Sequence, residues 1–287
     1  MSRFAARRQR FRAVLTGDGC IHPASVFDPL SVRVAEDLGF EAAMLGGSTA
    51  SLAVLGAPDN MTMTLSELAG LVQRICRASE LPLMVDADHG FGNALAVMRT
   101  VEELETAGVC GLSIEDTLLP EPFGGGGKSG LIPLEEGVGK MKAAVAARRD
   151  PLLVIAARTS AAALSSVEDA CARAAAYSGT GVDAIFLAGV RSRAEVEAVR
   201  RVTELPIILG NAPPALSDAA FFAANGVRIC LQGHQPIQAA VQAVYATLKA
   251  LREGADPRAL AGMPSAQTMR RVTRADDYDG WTREFLG

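Results

Sequence analysis

At 287 residues, 49% of them hydrophobic but only 5% aromatic, the chain can bury a large core built from small aliphatic side chains. A formal net charge of −4, with Arg and Glu interspersed, argues against a nucleic-acid-binding face, and no apolar run approaches the ~20 residues of a membrane span. The five cysteines (Cys20, Cys76, Cys110, Cys171, Cys230) form no CxxC and lie mostly in apolar surroundings, as free thiols in a reducing cytoplasm would.

The Arg-rich segment 1–12 is followed by no apolar stretch, so it predicts an amphipathic first helix, Phe4 to Leu15, and not a signal peptide. Cys20 to Phe27 predicts a first strand with its exit loop. Asp28 then caps a helix that runs through Leu38, with Pro29 in its first turn and Gly39 closing it. A second strand, Ala42 to Leu45, ends in Gly46-Gly47-Ser48, and a helix from Thr64 to Ser79 follows. The third strand begins at Leu83 and ends abruptly in Asp86 and Asp88, then His89 and a Gly-x-Gly turn. Asn93 opens a helix from Ala94 to Ala107, closed by Gly108. The fourth strand, Val109 to Ile114, ends in Glu115-Asp116, and Leu134 to Arg148 predicts a helix. Leu152 to Ala157 forms the fifth strand, ending in Arg158-Thr159, before a helix from Val167 to Tyr177. Strand six is Asp183 to Leu187, followed by a helix from Arg193 to Val202 and strand seven, Ile207 to Leu209. A short helix, Asp218 to Ala224, precedes strand eight, Val227 to Leu231, which leads into Gly233-His234 and a last helix from Gln235 to Leu251.

Eight strand–helix repeats without a linker predict one α/β domain over residues 1–287, a (β/α)8 TIM-type barrel with an N-terminal helix. The competing open doubly wound sheet would carry GxGxxG after its first strand, and that motif is absent. Residues 252–287 predict a C-terminal helical tail that packs on a neighbouring subunit.

Barrel active sites lie at the C-terminal ends of the strands. Here those ends carry Ser25 and Asp28, Gly46-Gly47-Ser48, Asp86 and Asp88, Glu115 and Asp116, Arg158, Asn211, and His234. Residues i and i+2 of a strand share a face, so Asp86 and Asp88 should stand together, and two close carboxylates repel unless a cation or proton lies between them. The plainer alternative is that one caps the next helix or anchors the glycine turn. With Glu115 from the adjacent strand, Asp86 and Asp88 form an oxygen-only set that suits Mg2+ or Mn2+ better than Zn2+. Arg158 reads either as a salt-bridge partner of Glu115 or Asp86, or as a fork for a substrate carboxylate or enolate oxygen. Gly46-Gly47-Ser48 reads as an anion nest or as a tight turn. His234 either contacts substrate or merely opens a helix, and His89 orients the neighbouring carboxylates. Two loops read as lids: Phe123 to Gly130, rich in glycine with Lys128-Ser129, and Gly56 to Asn60, with Asp59 as its acid.

Taken in order, Gly46-Gly47-Ser48, Pro58-Asp59-Asn60, DADHGFGN at 86–93, IEDT at 114–117, ARTSA at 157–161 and Gly233-His234 resemble the isocitrate lyase / phosphoenolpyruvate mutase superfamily, from about Ser25 to Tyr245. The resemblance implies an α/β barrel that binds Mg2+ and a 2-oxo acid or its enolate, assembled as a homotetramer (a dimer of dimers) with a helix swapped between partners. Isocitrate and methylisocitrate lyases carry a catalytic Cys in a KKCGH-like loop after the fourth strand; here that loop reads FGGGGKSG. ASVFDPLS at 24–31, EDTLLPEPFG at 115–124 and EEGVGK at 135–140 look most like the oxaloacetate decarboxylase branch. Carried over, that branch implies Asp86 on Mg2+ and Ser48, Arg158 and His234 on substrate. Gly47 and Asn211 join the expected substrate contacts, Asp88 and Glu115 the expected metal set, and Arg158 and His234 are the expected catalytic groups. The implied activity is Mg2+-dependent decarboxylation of oxaloacetate, a 2-oxo dicarboxylate, through an enolate in a cytoplasmic enzyme. A phosphonopyruvate-type hydrolase, a methylisocitrate-type lyase and a non-catalytic oxo-acid binder are the alternatives.

Overall fold

Local capping sets where the helices begin. The Ser31 amide donates to Asp28 Oδ1 at 2.7 Å while the Asp28 amide donates to Ser31 Oγ at 3.0 Å, closing a capping box at the start of α2 (Pro29–Asp37). Thr64 and Glu67 form a second box ahead of α4 (Leu65–Ala78), and the Asn93 side chain accepts from the Leu95 and Ala96 amides to start α5 (Ala94–Ala107). Gly108, at φ +105°, ends α5 in the left-handed conformation.

The computed structural model describes residues 4–127, 129–213, 216 and 218–287. Lys128 of the glycine-rich loop lies outside the described residues. After α1 (Ala5–Thr16) the chain alternates strand and helix: β1 (Ala24–Ser25), α2, β2 (Ala43–Leu45), α3 (Gly47–Leu55), α4, β3 (Leu83–Asp86), α5 and β4 (Gly111–Glu115). It continues through α6 (Leu134–Ala147), β5 (Val154–Thr159), α7 (Ala161–Leu164), α8 (Val167–Ser178), β6 (Ala184–Ala188) and α9 (Arg193–Arg200). The last units are β7 (Ile207–Gly210), α10 (Ala219–Ala224), β8 (Val227–Cys230), α11 (Gln235–Arg252), α12 (Ala266–Thr273) and α13 (Ala275–Phe285). The eight strands pair in parallel in sequence order, and a bridge from Ile21 to Ile229 brings β8 back beside the segment entering β1. This is the expected (β/α)8 architecture. Among the described residues no helix is long and apolar enough to cross a membrane.

Two helices were not foreseen. α3 begins with Gly47-Ser48-Thr49, weak helix formers, and α7 is a single turn after β5. Packing, not propensity, holds α3: Gly47, Thr49, Ala50 and Ser51 are buried. The first strand also shrinks from the expected Cys20–Phe27 to two residues.

Alternation along the strands divides the core into two layers. The larger lies between strands and helices, around Leu45, Val85, Leu112, Ile155 and Leu187. The smaller fills the barrel axis with Met44, Met84, Cys110, Phe186 and Ile208, and is sealed from below by Phe11 and Leu15 of α1. A Cβ on Gly111 would lie 2.6 Å from Phe11 Cε1, so glycine is what lets α1 seat against β4. α1 is less amphipathic than its sequence implied, because Arg7 and Arg8 are buried. They bind carbonyls at helix ends: Arg7 Nη1 donates to Cys76 and Ser79, and Arg8 Nη2 to Glu105. Arg8 Nη1 also reaches Asp150 Oδ2 at 2.6 Å.

The C-terminal tail partly rests on its own chain. Arg33 Nη1 donates to the Val272 and Thr273 carbonyls, and Arg274 pairs with Glu36 and Asp37, seating α12 on α2. α11 is different, since Ile237 is its one buried residue while Val241, Val244, Tyr245 and Leu248 are each more than half exposed.

Candidate active site

The site follows from strand register. Parallel pairing sets Asp86 beside Ser113 and Glu115 beside Arg158. Ser113 and Glu115, two residues apart on β4, point the same way, and Ser113 Oγ reaches Asp86 Oδ1 at 3.3 Å. Asp116 points to the opposite side. There it accepts from Arg173 Nη1 at 3.0 Å and from the Tyr177 hydroxyl at 2.7 Å, both on α8. Two neighbouring carboxylates thus serve different layers, and Asp116 anchors the root of the glycine-rich loop, where the Ile132 amide donates to its carbonyl.

Asp86 and Asp88 do stand together, but not by strand alternation. β3 ends at Asp86, and Asp88 sits at φ +48°, turning so that its amide donates to Asp86 Oδ1 at 3.2 Å. Its carboxylate abuts Gly47, where any Cβ would overlap it. The Gly46-Gly47-Ser48 nest is therefore the first turn of α3, with its free amides, and Ser48 is half-buried there. Beneath the turn, buried Lys140 donates through Nζ to the His89 carbonyl at 3.0 Å. His89 does not orient the carboxylates as expected: its buried Nδ1 has no partner among the described residues.

Arg158 joins the acids. Its Nη1 pairs with Asp86 Oδ2, its Nε lies 3.5 Å from Glu115 Oε2, and its guanidinium stacks 5.3 Å from the centre of the Phe186 ring. The Nε donor is buried and makes no hydrogen bond among the described residues. Burial works against the charge on Arg158, yet Asp86 and Glu115 outweigh it and raise its pKa. Thr117 Oγ1 donates to Glu115 Oε2 at 2.7 Å.

One guanidinium faces several carboxylates. Burial, then Asp86, Asp59 and Glu115, hold the Asp88 carboxyl far above the usual carboxylate range, against the pull of Arg158. Burial and Asp86 likewise raise Asp59, on the exposed loop after α3, with Arg158 and His234 opposing. Negative charge is in surplus, the condition under which a cation is bound. Among the described residues no three of His, Cys, Asp and Glu converge closely enough to hold a metal between them. That donor set fits an ion that keeps most of its own waters and takes one or two carboxylates, as Mg2+ does.

His234 completes the ring of groups. Its Nδ1 lies 2.9 Å from Ser25 Oγ, and its ring edge presses on Gly46, where a Cβ would stand 2.6 Å from Cε1. Burial lowers its pKa, partly countered by Asp86. Asn211, just past β7 at φ +50°, is exposed, and no hydrogen bond joins it to the cluster among the described residues. A cleft of about 450 Å³ separates the two lid loops, with Asp59 and Met61 on one side and Leu118 and Glu121 on the other. All five cysteines are free, and burial pushes Cys20 and Cys76 up to about 12 and raises the other three, so none offers a thiolate.

Sequence reasoning passed over Ser113 and Thr117 and gave Ser25 no role. The available signal for the first was a hydroxyl two residues before Glu115 in an otherwise apolar strand.

Residues 11–252 match the family described as phosphoenolpyruvate phosphomutase. An oxaloacetate decarboxylase of Bradyrhizobium diazoefficiens is 58% identical over 284 residues, 99% of this chain and 98% of that protein. A phosphonopyruvate hydrolase solved in complex with oxalate and Mg2+ superposes with a TM-score of 0.85 at 28% identity, covering 98% of this chain and 99% of that one. An oxaloacetate acetylhydrolase bound to the inhibitor 3,3-difluorooxalacetate gives the same TM-score at 26% identity, covering 98% of this chain and 97% of that one.

Proposed function

Because this chain belongs to the phosphoenolpyruvate phosphomutase family, within the superfamily that also holds the isocitrate lyases, we propose that its strand-end cluster decarboxylates oxaloacetate to pyruvate and CO2. The observation that carries the reading is Arg158, a buried guanidinium held by Asp86 and Glu115 with its Nε unbonded among the described residues.

Oxaloacetate loses its C4 carboxylate when the electrons of the C3–C4 bond flow into the C2 carbonyl. A divalent cation, Mg2+ or Mn2+, would be held by Asp86, with Asp88 and Glu115 around it, and would supply Lewis acidity toward the C2 oxygen. Arg158 adds fixed positive charge where the enolate oxygen develops, and its position is set before substrate arrives. The Gly47 amide and Ser48, at the first turn of α3, hold the C1 carboxylate. His234 meets the carboxylate end of the substrate. Asn211 is assigned to the outer wall of the pocket. The enolate takes a proton at C3 from a water molecule to give pyruvate, and the two loops close the site to bulk solvent meanwhile.

The purified protein is expected to form pyruvate from oxaloacetate with Mg2+ or Mn2+, and to lose that activity on chelation and regain it on metal return. Turnover of phosphonopyruvate or methylisocitrate in place of oxaloacetate would overturn this assignment. Binding of oxalate without turnover of any of the three would make the chain a binder.

The assembly is proposed as a homotetramer. A groove of about 640 Å³, lined by Pro23, Leu30, Val34, Leu38 and Phe40, runs beside the root of α11. The exposed apolar stripe of α11 has the chemistry to fill that groove in a second copy. Replacing Val244 and Leu248 together by Glu is expected to shift the protein to smaller species in sedimentation; unchanged sedimentation would exclude α11 from the interface. The five free cysteines support a cytoplasmic setting.

A further inference from the structure

We propose that Ser25 is a positioning residue that locks His234 in one tautomer, with the ring proton on Nε2 at the mouth of the barrel. The inference rests on the reading that His234 meets a substrate carboxylate.

Ser25 ends β1, and its Oγ lies 2.9 Å from His234 Nδ1. Among the described residues this is the one hydrogen bond of the Ser25 hydroxyl. A serine hydroxyl can donate or accept, but its single proton has no other acceptor among the described residues, so Ser25 is assigned as the donor to Nδ1. Nδ1 then holds a lone pair, and a neutral imidazole keeps its proton on Nε2.

A second histidine shows the opposite case. His22 Nδ1 lies 2.8 Å from the Cys230 carbonyl oxygen, which can only accept. His22 therefore carries its proton on Nδ1. Two histidines are thus assigned opposite forms by the chemistry of one neighbour each.

Sterics hold the His234 ring as well. A Cβ on Gly46 would sit 2.6 Å from Cε1 and 2.8 Å from Nε2, so the bare glycine backbone forms one wall of the ring's seat and Ser25 lies across from it. The Nε2 edge faces the end of β2, one residue before α3 starts and two before Ser48. An N–H there donates to a carboxylate oxygen. The other tautomer would present a lone pair to that oxygen and repel it. Asp59, Asp86 and Arg158 are the charged groups that act on this ring, and burial favours its neutral form.

The test uses the metal-loaded enzyme labelled with 15N-histidine, which gives three imidazoles per chain. The His234→Ala variant assigns the His234 resonances. Wild-type His234 is expected to show the Nε2–H pattern and His22 the Nδ1–H pattern. Ser25→Ala is expected to mix the tautomers of His234 and to lower kcat/KM for oxaloacetate about tenfold, mainly through KM, in line with one hydrogen bond. Ser25→Thr, which keeps the hydroxyl, is expected to retain both readouts. A wild-type His234 protonated on Nδ1, or a Ser25→Ala spectrum unchanged at His234, would overturn the lock. If the spectra change as expected but His234→Ala leaves kcat/KM intact, the lock stands and the substrate-contact reading falls.

Discussion

Asp86→Ala is expected to abolish Mg2+-dependent pyruvate formation from oxaloacetate. Asp86 is the hub of the cluster: it pairs with Arg158, accepts from Ser113 Oγ, and takes the Asp88 amide. Loss of its carboxylate removes the proposed direct ligand of the cation and releases the turn that places Asp88. Loss of a group that merely supports a metal ligand typically costs 10- to 100-fold, so the fall here should exceed about a hundredfold. Removing one partner of a buried ion pair also costs roughly 3–5 kcal/mol of stability. Asp86→Asn, which keeps the shape and an acceptor for Ser113 and the Asp88 amide, separates the two effects. It should fold, bind Mg2+ weakly by calorimetry, and fail to turn over. Full activity in either variant would place the cation elsewhere.

Arg158→Ala is the second large effect, at about 3 kcal/mol or more of transition-state stabilisation, a fall of about a hundredfold or more in kcat. The side chain is clamped by Asp86 and Glu115 and stacked on Phe186, so its charge needs no rearrangement as the enolate forms. Arg158→Lys keeps a charge but loses the planar fork, and should recover only part of the rate. The loss should fall on kcat more than on KM, because the charge it answers exists only as the bond breaks. An unchanged kcat would leave Arg158 a partner of Asp86 and Glu115 and nothing more.

Much of this was legible from sequence because it rests on local rules. The caps at Asp28 and Asn93 were placed correctly, and the strand ends at Asp86, Glu115 and Arg158 pointed to one mouth. What escaped depends on contacts distant in sequence. α3 starts on glycines and is stabilised by burial, so propensity conceals it. Asp88 reaches the cluster through a left-handed turn, which strand periodicity cannot express. Asp116 belongs to Arg173 and Tyr177, 57 and 61 residues away. Ser25 and His234 meet across 209 residues, at the seam where the last strand returns to the first.

The seal that α1 makes beneath the barrel has a consequence for traffic. Phe11 and Leu15 close the axis from below, and Met44, Met84 and Phe186 fill it above them, so the barrel is a dead end. Among the described residues the packed axis offers products no path downward, so CO2 and pyruvate leave by the mouth at the strand ends. With the proposed lid loops across that mouth, release would require them to part again in every cycle. On that reading the emptying of the site joins the breaking of the bond as a step that can set the pace.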